Sequence, residues 1–407
     1  MKIGLVGEFY SKNLGDPLLF DCTKYICRET SKESLVFKDI DFFGRSFSGD
    51  NSVWFDKDRT FFVFILKSIR KVIKCMAKNQ KTLWLDEKIW ALGRERKRLA
   101  RYFADSIKGL DGIIIMGAGS IKYDVRLNFA PYYKELMQEA EKQNIPVFIN
   151  CAGIESKYNA KDRRCRMFCD VLSMDILKIA TTRDDIETLK QMIHNKKTEV
   201  AKIADIGVWS SETFDISREK SDTIGLGIIT PERFVEFHRN ITPKQYEEEW
   251  LQIIKTLDLQ GKKWEIFNNG DDCDREYAEA LCLKAGYSPE QKVKTPTTPE
   301  ELVKVISSYQ GIVTSRLHSC IVAYSLGIPF VAIIWNNKLQ YFAENIGYRN
   351  RIIDSEDFNS QEVLKKFEEA ITVGYNEKER EEYRATSIVY IKKYIEYIKS
   401  NMEGKDK

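Results

Sequence analysis

The residue types best suited to chemistry in this chain lie together in one short run, Ser315-Arg316-Leu317-His318-Ser319. The run follows the apolar stretch Gly311-Ile312-Val313-Thr314 and precedes Ala323, Gly327-Ile328-Pro329 and Lys338. This order reads as a short strand, a polar turn, a helix and a second strand. Ser315, Arg316 and His318 then stand at a strand's carboxyl end, where free amides of the following helix favour an anion. Arginine offers a forked donor pair to a carboxylate or phosphate, and histidine exchanges a proton near neutral pH. The competing structural reading pairs Arg316 with a local acid and makes His318 a satisfied turn residue.

Other polar segments follow other apolar stretches. In Glu8-Phe9-Tyr10-Ser11-Lys12-Asn13-Leu14-Gly15-Asp16, Asn13 and Asp16 either contact a substrate hydroxyl or only shape the turn, with Asp16 capping the next helix. Met116-Gly117-Ala118-Gly119-Ser120 has small residues that let a backbone approach a ligand. Gly117 and Gly119 lack the third glycine of a dinucleotide fingerprint. Asn150-Cys151-Ala152-Gly153-Ile154 and Thr181-Thr182-Arg183-Asp184-Asp185 hold equivalent positions. Arg183 is either an anion ligand or a partner of Asp184 or Asp185. Cys151 has no identifiable histidine partner and reads as a packed thiol.

Strands and helices alternate almost throughout, the pattern of parallel sheets wrapped by helices. The periodicity predicts strands at 2–7, 35–40, 112–116, 146–149, 178–181 and 199–203, with helices over 16–30, 128–143, 160–174 and 184–194. A second series of strands is expected at 223–229, 264–267, 311–314 and 330–334. Its helices are expected at 244–258, 272–285, 299–308, 319–326 and 339–346. The polar stretch 215–222 separates the two series. The expected organisation is therefore an N-terminal domain over 1–215, a C-terminal domain over 222–375 and a helical tail over 376–407 strapping one to the other. Ligands of such sheets sit beyond the carboxyl ends of the strands, which places the site in the cleft between the domains.

The chain of 407 residues is long enough for two cores, and 64 basic against 61 acidic side chains exclude a globally polybasic nucleic-acid binder. Nine cysteines without a Cys-x-x-Cys pair, beside three histidines, do not make a zinc site, so no metal is assigned. The odd cysteine count and the absence of a signal peptide predict reduced thiols in the cytoplasm. No run of 18 apolar residues crosses a membrane. An insertion over 44–110 differs in composition: Lys67 to Arg101 carries twelve Lys/Arg and three acids. Across 62–78, Phe62, Ile65, Ile69, Val72, Ile73 and Met76 share one helical face and Lys67, Arg70, Lys71, Lys74 and Lys78 the opposite one. Two readings stay open: a surface helix packed on the first domain, or an interfacial helix making peripheral contact with anionic lipid.

Taken together, the Asn-x-Gly-Asp turn at 13–16, the Gly-rich turn near 117, Arg183 and the Ser-Arg-Leu-His turn ahead of Ala323, Gly327, Pro329 and Lys338 resemble the polysaccharide pyruvyl transferase family. The resemblance spans about residues 1–350, and the Ser-Arg-Leu-His segment is its most specific part. It implies two Rossmann-like domains in a GT-B-like arrangement, and transfer of a pyruvyl group from phosphoenolpyruvate to a sugar as a cyclic ketal, with loss of phosphate. By position, Arg316, Leu317 and His318 match the family's donor-binding and catalytic turn, and Arg183 matches an arginine that grips phosphoenolpyruvate. The family's Gly-Gly-Gly turn is Gly117-Ala118-Gly119 here, and Asn150-Cys151-Ala152 stands where a polar residue or histidine is usual. The chemistry agrees with the residue types. Arg183, Arg316 and Lys338 are cations for the donor's carboxylate and phosphate, and His318 a proton source for its methylene carbon. No cofactor is implied, and the acceptor is a saccharide, free or lipid-linked. The rival readings are a GT-B nucleotide-sugar glycosyltransferase, for which Glu300 and Glu301 would supply nucleoside recognition, and a non-catalytic glycan-binding protein of the same fold.

Overall fold

The structure is a computed structural model, which describes residues 1–45, 94–123 and 128–405. The basic stretch 62–78 lies outside the described residues. Among the described residues, twelve strands form two six-stranded, wholly parallel sheets. The first comprises β1 (Lys2–Gly7), β2 (Val36–Asp41), β3 (Gly112–Met116), β4 (Val147–Ala152), β5 (Leu177–Thr182) and β6 (Glu199–Lys202), in the order β2-β1-β3-β4-β5-β6. The second comprises β7 (Ile224–Gly227), β8 (Trp264–Phe267), β9 (Val293–Lys294), β10 (Gly311–Thr314), β11 (Phe330–Ile334) and β12 (Ile352–Asp354), in the order β12-β11-β10-β7-β8-β9.

Parallel strands buried on both faces read as apolar runs. β3, β4 and β11 are buried at every position, which is why their spans are legible in the sequence. β9 and β12 have two and three residues, too short to carry a period, and they lie at sheet edges. The helix Arg94–Ile107 falls inside the stretch read as an insertion and leads into β3.

The chain packs as two compact units: residues 1–10, 27–203 and 389–407 in one, residues 11–26 and 204–388 in the other. The helix Gly15–Thr30 thus begins in the second unit, with Ser11, Asn13 and Asp16, although these residues directly follow β1. Their apolar neighbours explain this. A side chain on Gly207 would meet both Leu18 and Ile321 within 4 Å, and the amide of Leu14 donates to the carbonyl of Asn269 at 2.9 Å. The long helix Glu377–Lys405 divides likewise. In the second unit Arg384 is buried, pairs with Glu212 and lies over the Trp209 ring at 4.1 Å. In the first unit Tyr394 stacks on Phe148 and its hydroxyl meets Thr181 at 3.0 Å.

Candidate functional site

In the second unit, β10 ends at Thr314 and the helix Leu317–Ser325 begins at once, with Arg316 extended at its N-cap (φ −97°, ψ 123°). His318 therefore sits in the first helical turn, because the helix starts two residues earlier than the periodicity predicts. The Arg316 side chain meets the first turn of the helix Asp272–Lys284, which follows β8. Its Nε donates to Asp274 at 2.7 Å and its Nη2 to the same carboxylate. Asp274 is wholly buried, and its other oxygen accepts the amide of Thr230 at 3.0 Å. Burial pushes the Asp274 carboxyl above its usual range, and the Arg316 charge opposes that shift. Arg316 is thus paired with an acid, though one 42 residues away and not the local partner weighed, and the pairing takes the Nε–Nη2 edge of the guanidinium.

His318 is 6% exposed, and its ring lies against the backbone of Gly15. A Cβ built on Gly15 would stand 1.9 Å from Nδ1 and 2.2 Å from Cγ, so the close approach requires glycine there. Ser319 donates to Asn269 Oδ1 at 2.6 Å. The side chain of Asp16 accepts from Ser11 at 2.8 Å and from Asn13 Nδ2 at 3.3 Å. It closes the Ser11–Asp16 turn from the helix's second position, which is a different task from capping. Ser315 is buried, and its carbonyl accepts the Trp335 indole at 2.6 Å. Lys338 is half-buried at the start of the helix Asn337–Asn345, its amide capped by Asn336.

Gly15→Ala is expected to displace the imidazole. The overpacking should cost on the order of 1–3 kcal/mol of stability, with turnover falling further because the ring has moved. Chemical denaturation and initial rates measure both. Wild-type stability and rate in Gly15→Ala would contradict the contact.

The remaining candidates belong to the first unit. Gly117 follows β3, and a Cβ there would meet the Cys151 carbonyl at 2.5 Å. Gly119 is half-exposed. Ala118, which interrupts the glycines, has φ +40°, and Cys151 has φ +45°; both conformations are unfavourable for residues with a side chain. Arg183 is 4% exposed, its Nε 3.8 Å from Asp184 Oδ1, so the pairing with its neighbour is present. Asp184 in turn accepts the amide of Ile154 at 3.0 Å. Within the second unit the fold brings the Ser11–Asp16 turn to the start of the helix Leu317–Ser325, through Gly15 against His318 and through Leu14 and Ser319 on Asn269; within the first it gathers Gly117 and Arg183 around Gly153 and Cys151. Asn269 and Arg233 carry no local signal of a role, and Asp271 and Asp274 show only as acids opening a helix.

Two parallel sheets with flanking helices and polar turns at the strands' carboxyl ends define a protein of two Rossmann-like domains. Solved structures similar to this chain share that fold. UDP-GlcNAc 2-epimerase from Methanocaldococcus jannaschii matches with TM-score 0.54 at 12% identity, over 97% of this chain and 100% of that one. A putative UDP-N-acetylglucosamine 2-epimerase from Listeria monocytogenes matches with TM-score 0.51 at 10% identity, over 99% and 98%. The UDP-GlcNAc 2-epimerase of Neisseria meningitidis matches with TM-score 0.50 at 12% identity, over 97% and 98%. No curated protein matches the sequence. The model of the polysaccharide pyruvyl transferase family matches residues 13–337, and the chain belongs to that enzyme family.

Proposed function

We propose that the protein transfers the pyruvyl group of phosphoenolpyruvate to a saccharide, forming a pyruvate ketal and releasing phosphate. The observation that carries this reading is the placement of Arg316 and His318 at the N-cap and second position of the helix that follows β10, inside the segment matched by the family model. The donor is a trianion at its most ionised, so cations hold it; Arg316, Arg183 and Lys338 are the residues proposed for this. His318 delivers a proton to the methylene carbon while a sugar hydroxyl adds at the neighbouring carbon. Departure of phosphate, its charge met by the cations, lets a second hydroxyl close the ketal. Asn13 and Asp16, held in one turn beside the residue that His318 touches, are proposed to meet the acceptor.

The nucleotide-sugar reading rests on Glu300 and Glu301, and here Glu301 accepts from the amide and hydroxyl of Thr297 at 2.7 and 2.8 Å. That is a carboxylate engaged at its own helix start. A thermal-shift comparison tests the choice. Phosphoenolpyruvate at 100 times its Kd should stabilise the fold by about 2.7 kcal/mol, and UDP-glucose should leave it unchanged. The reverse pattern would replace pyruvyl transfer with glycosyl transfer. Phosphate release on mixing phosphoenolpyruvate with candidate glycans then separates an enzyme from a glycan-binding protein. Charge reversal at Lys67, Arg70 and Lys74 tests whether 62–78 binds anionic vesicles. No helix among the described residues is long and apolar enough to cross a membrane.

A further inference from the structure

The second sheet reverses its order between β7 and β10: β8 and β9 lie to one side, β11 and β12 to the other. Open parallel sheets bind ligands beyond the strands' carboxyl ends at such a switch point. The turns after β7, β8 and β10 each contribute a charged residue here: Arg233, Asp271 and Arg316. One oxygen joins them. Asp271 Oδ2 stands 3.3 Å from Arg233 Nη2 and 3.5 Å from Arg316 Nη2. The other oxygen of Asp271 accepts the amide of Cys273 at 3.1 Å and caps the helix Asp272–Lys284. A single carboxylate oxygen thus rests between two guanidinium groups, the placement that suits an oxygen of a phosphate or carboxylate ligand. Arg316 is kept in register by Asp274, which takes Nε and shares Nη2 with Asp271. The Arg233 side chain is 33% exposed, so a ligand reaches it. Its Nε is buried without a hydrogen-bond partner among the described residues.

We propose that Arg233 is a further anion-binding residue, forming with Arg316 a two-arginine clamp that Asp271 occupies until a ligand's phosphate or carboxylate takes its place. The clamp rests on the phosphoenolpyruvate reading for the identity of its ligand, but its geometry concerns any small oxyanion. Asp271 keeps its capping bond through Oδ1 while Oδ2 gives way, so exchange of the anions leaves the helix start intact. The opposite charges of the two residues give the proposal opposite signs.

Calorimetry of the full chain with inorganic phosphate and with phosphoenolpyruvate tests it. Arg233→Gln is expected to weaken both ligands on the order of 10- to 100-fold, the effect of losing hydrogen bonds to a charged group. Arg233→Lys should restore part of the loss, and it serves in place of Arg233→Gln if that variant does not fold. Asp271→Asn keeps the cap and removes the competing charge, so it should tighten both ligands several-fold. Weaker binding in Asp271→Asn would overturn the clamp, because a purely structural ion network loses affinity on either side. Phosphate binding with these signs, without binding of phosphoenolpyruvate, would leave the clamp standing and remove the donor reading. Turnover of phosphoenolpyruvate with Arg233→Gln affinity within twofold of wild type would do the reverse, and a wild type that binds neither ligand overturns both.

Discussion

His318→Asn is expected to bind phosphoenolpyruvate nearly as the wild type does and to lose on the order of 10²–10⁴-fold in turnover, the usual worth of a general acid or base. Asparagine approximates the shape of the near ring and keeps some hydrogen bonding, but it delivers no proton. The ring's contact with Gly15 makes a small structural cost visible as well. For this reason the melting temperature is measured beside the rate. Two alternatives give different results. If His318 only stabilises the turn, activity and melting temperature fall together. If the chain is a glycosyltransferase, phosphoenolpyruvate binds neither protein. Wild-type pyruvyl transfer by a folded His318→Asn protein would remove His318 from the mechanism.

Arg316→Ala should fail differently, by losing stability and donor affinity at once. Asp274 is wholly buried and takes two guanidinium hydrogen bonds. Deleting the arginine strands that carboxylate in a dry site, at a cost of about 3–5 kcal/mol. The lost charged contact to the ligand should take a further 1.5–3 kcal/mol, approximately, from donor binding. The double variant Arg316→Ala/Asp274→Ala separates these effects, since removing both partners leaves no buried charge. Its denaturation midpoint should recover most of the loss, while its affinity for phosphoenolpyruvate stays low. Recovery of donor affinity along with stability would mean that Arg316 acts only by neutralising Asp274.

How far the site was legible follows from which interactions are local. Strand β10 and the helix after it are written in adjacent residues; the helix was expected from 319 and begins at Leu317, which takes His318 from the turn into the first helical turn. Arg183 and Asp184 are neighbours, so their pairing was one of two readings already open. The partners of Arg316 are another matter. Asp274 lies 42 residues away, and only the juxtaposition of β7 with β8 and β10 brings the two helix starts together. A helix cap was one of two readings open for Asp16, because spacing alone suits one; the contacts with Ser11 and Asn13 depend on a turn conformation that spacing does not specify.

By itself, the sequence determined the α/β class, the two series of strands and the turn that holds Arg316 and His318. Each is encoded by burial period and turn chemistry over a few consecutive residues. Only the tertiary structure decided that Ser11–Ile26 packs with the second unit, that the imidazole of His318 rests on Gly15, and that Asp271 joins Arg233 to Arg316. Those contacts depend on sheet order, and parallel sheets pair strands that are distant in the chain, so no local pattern reports them.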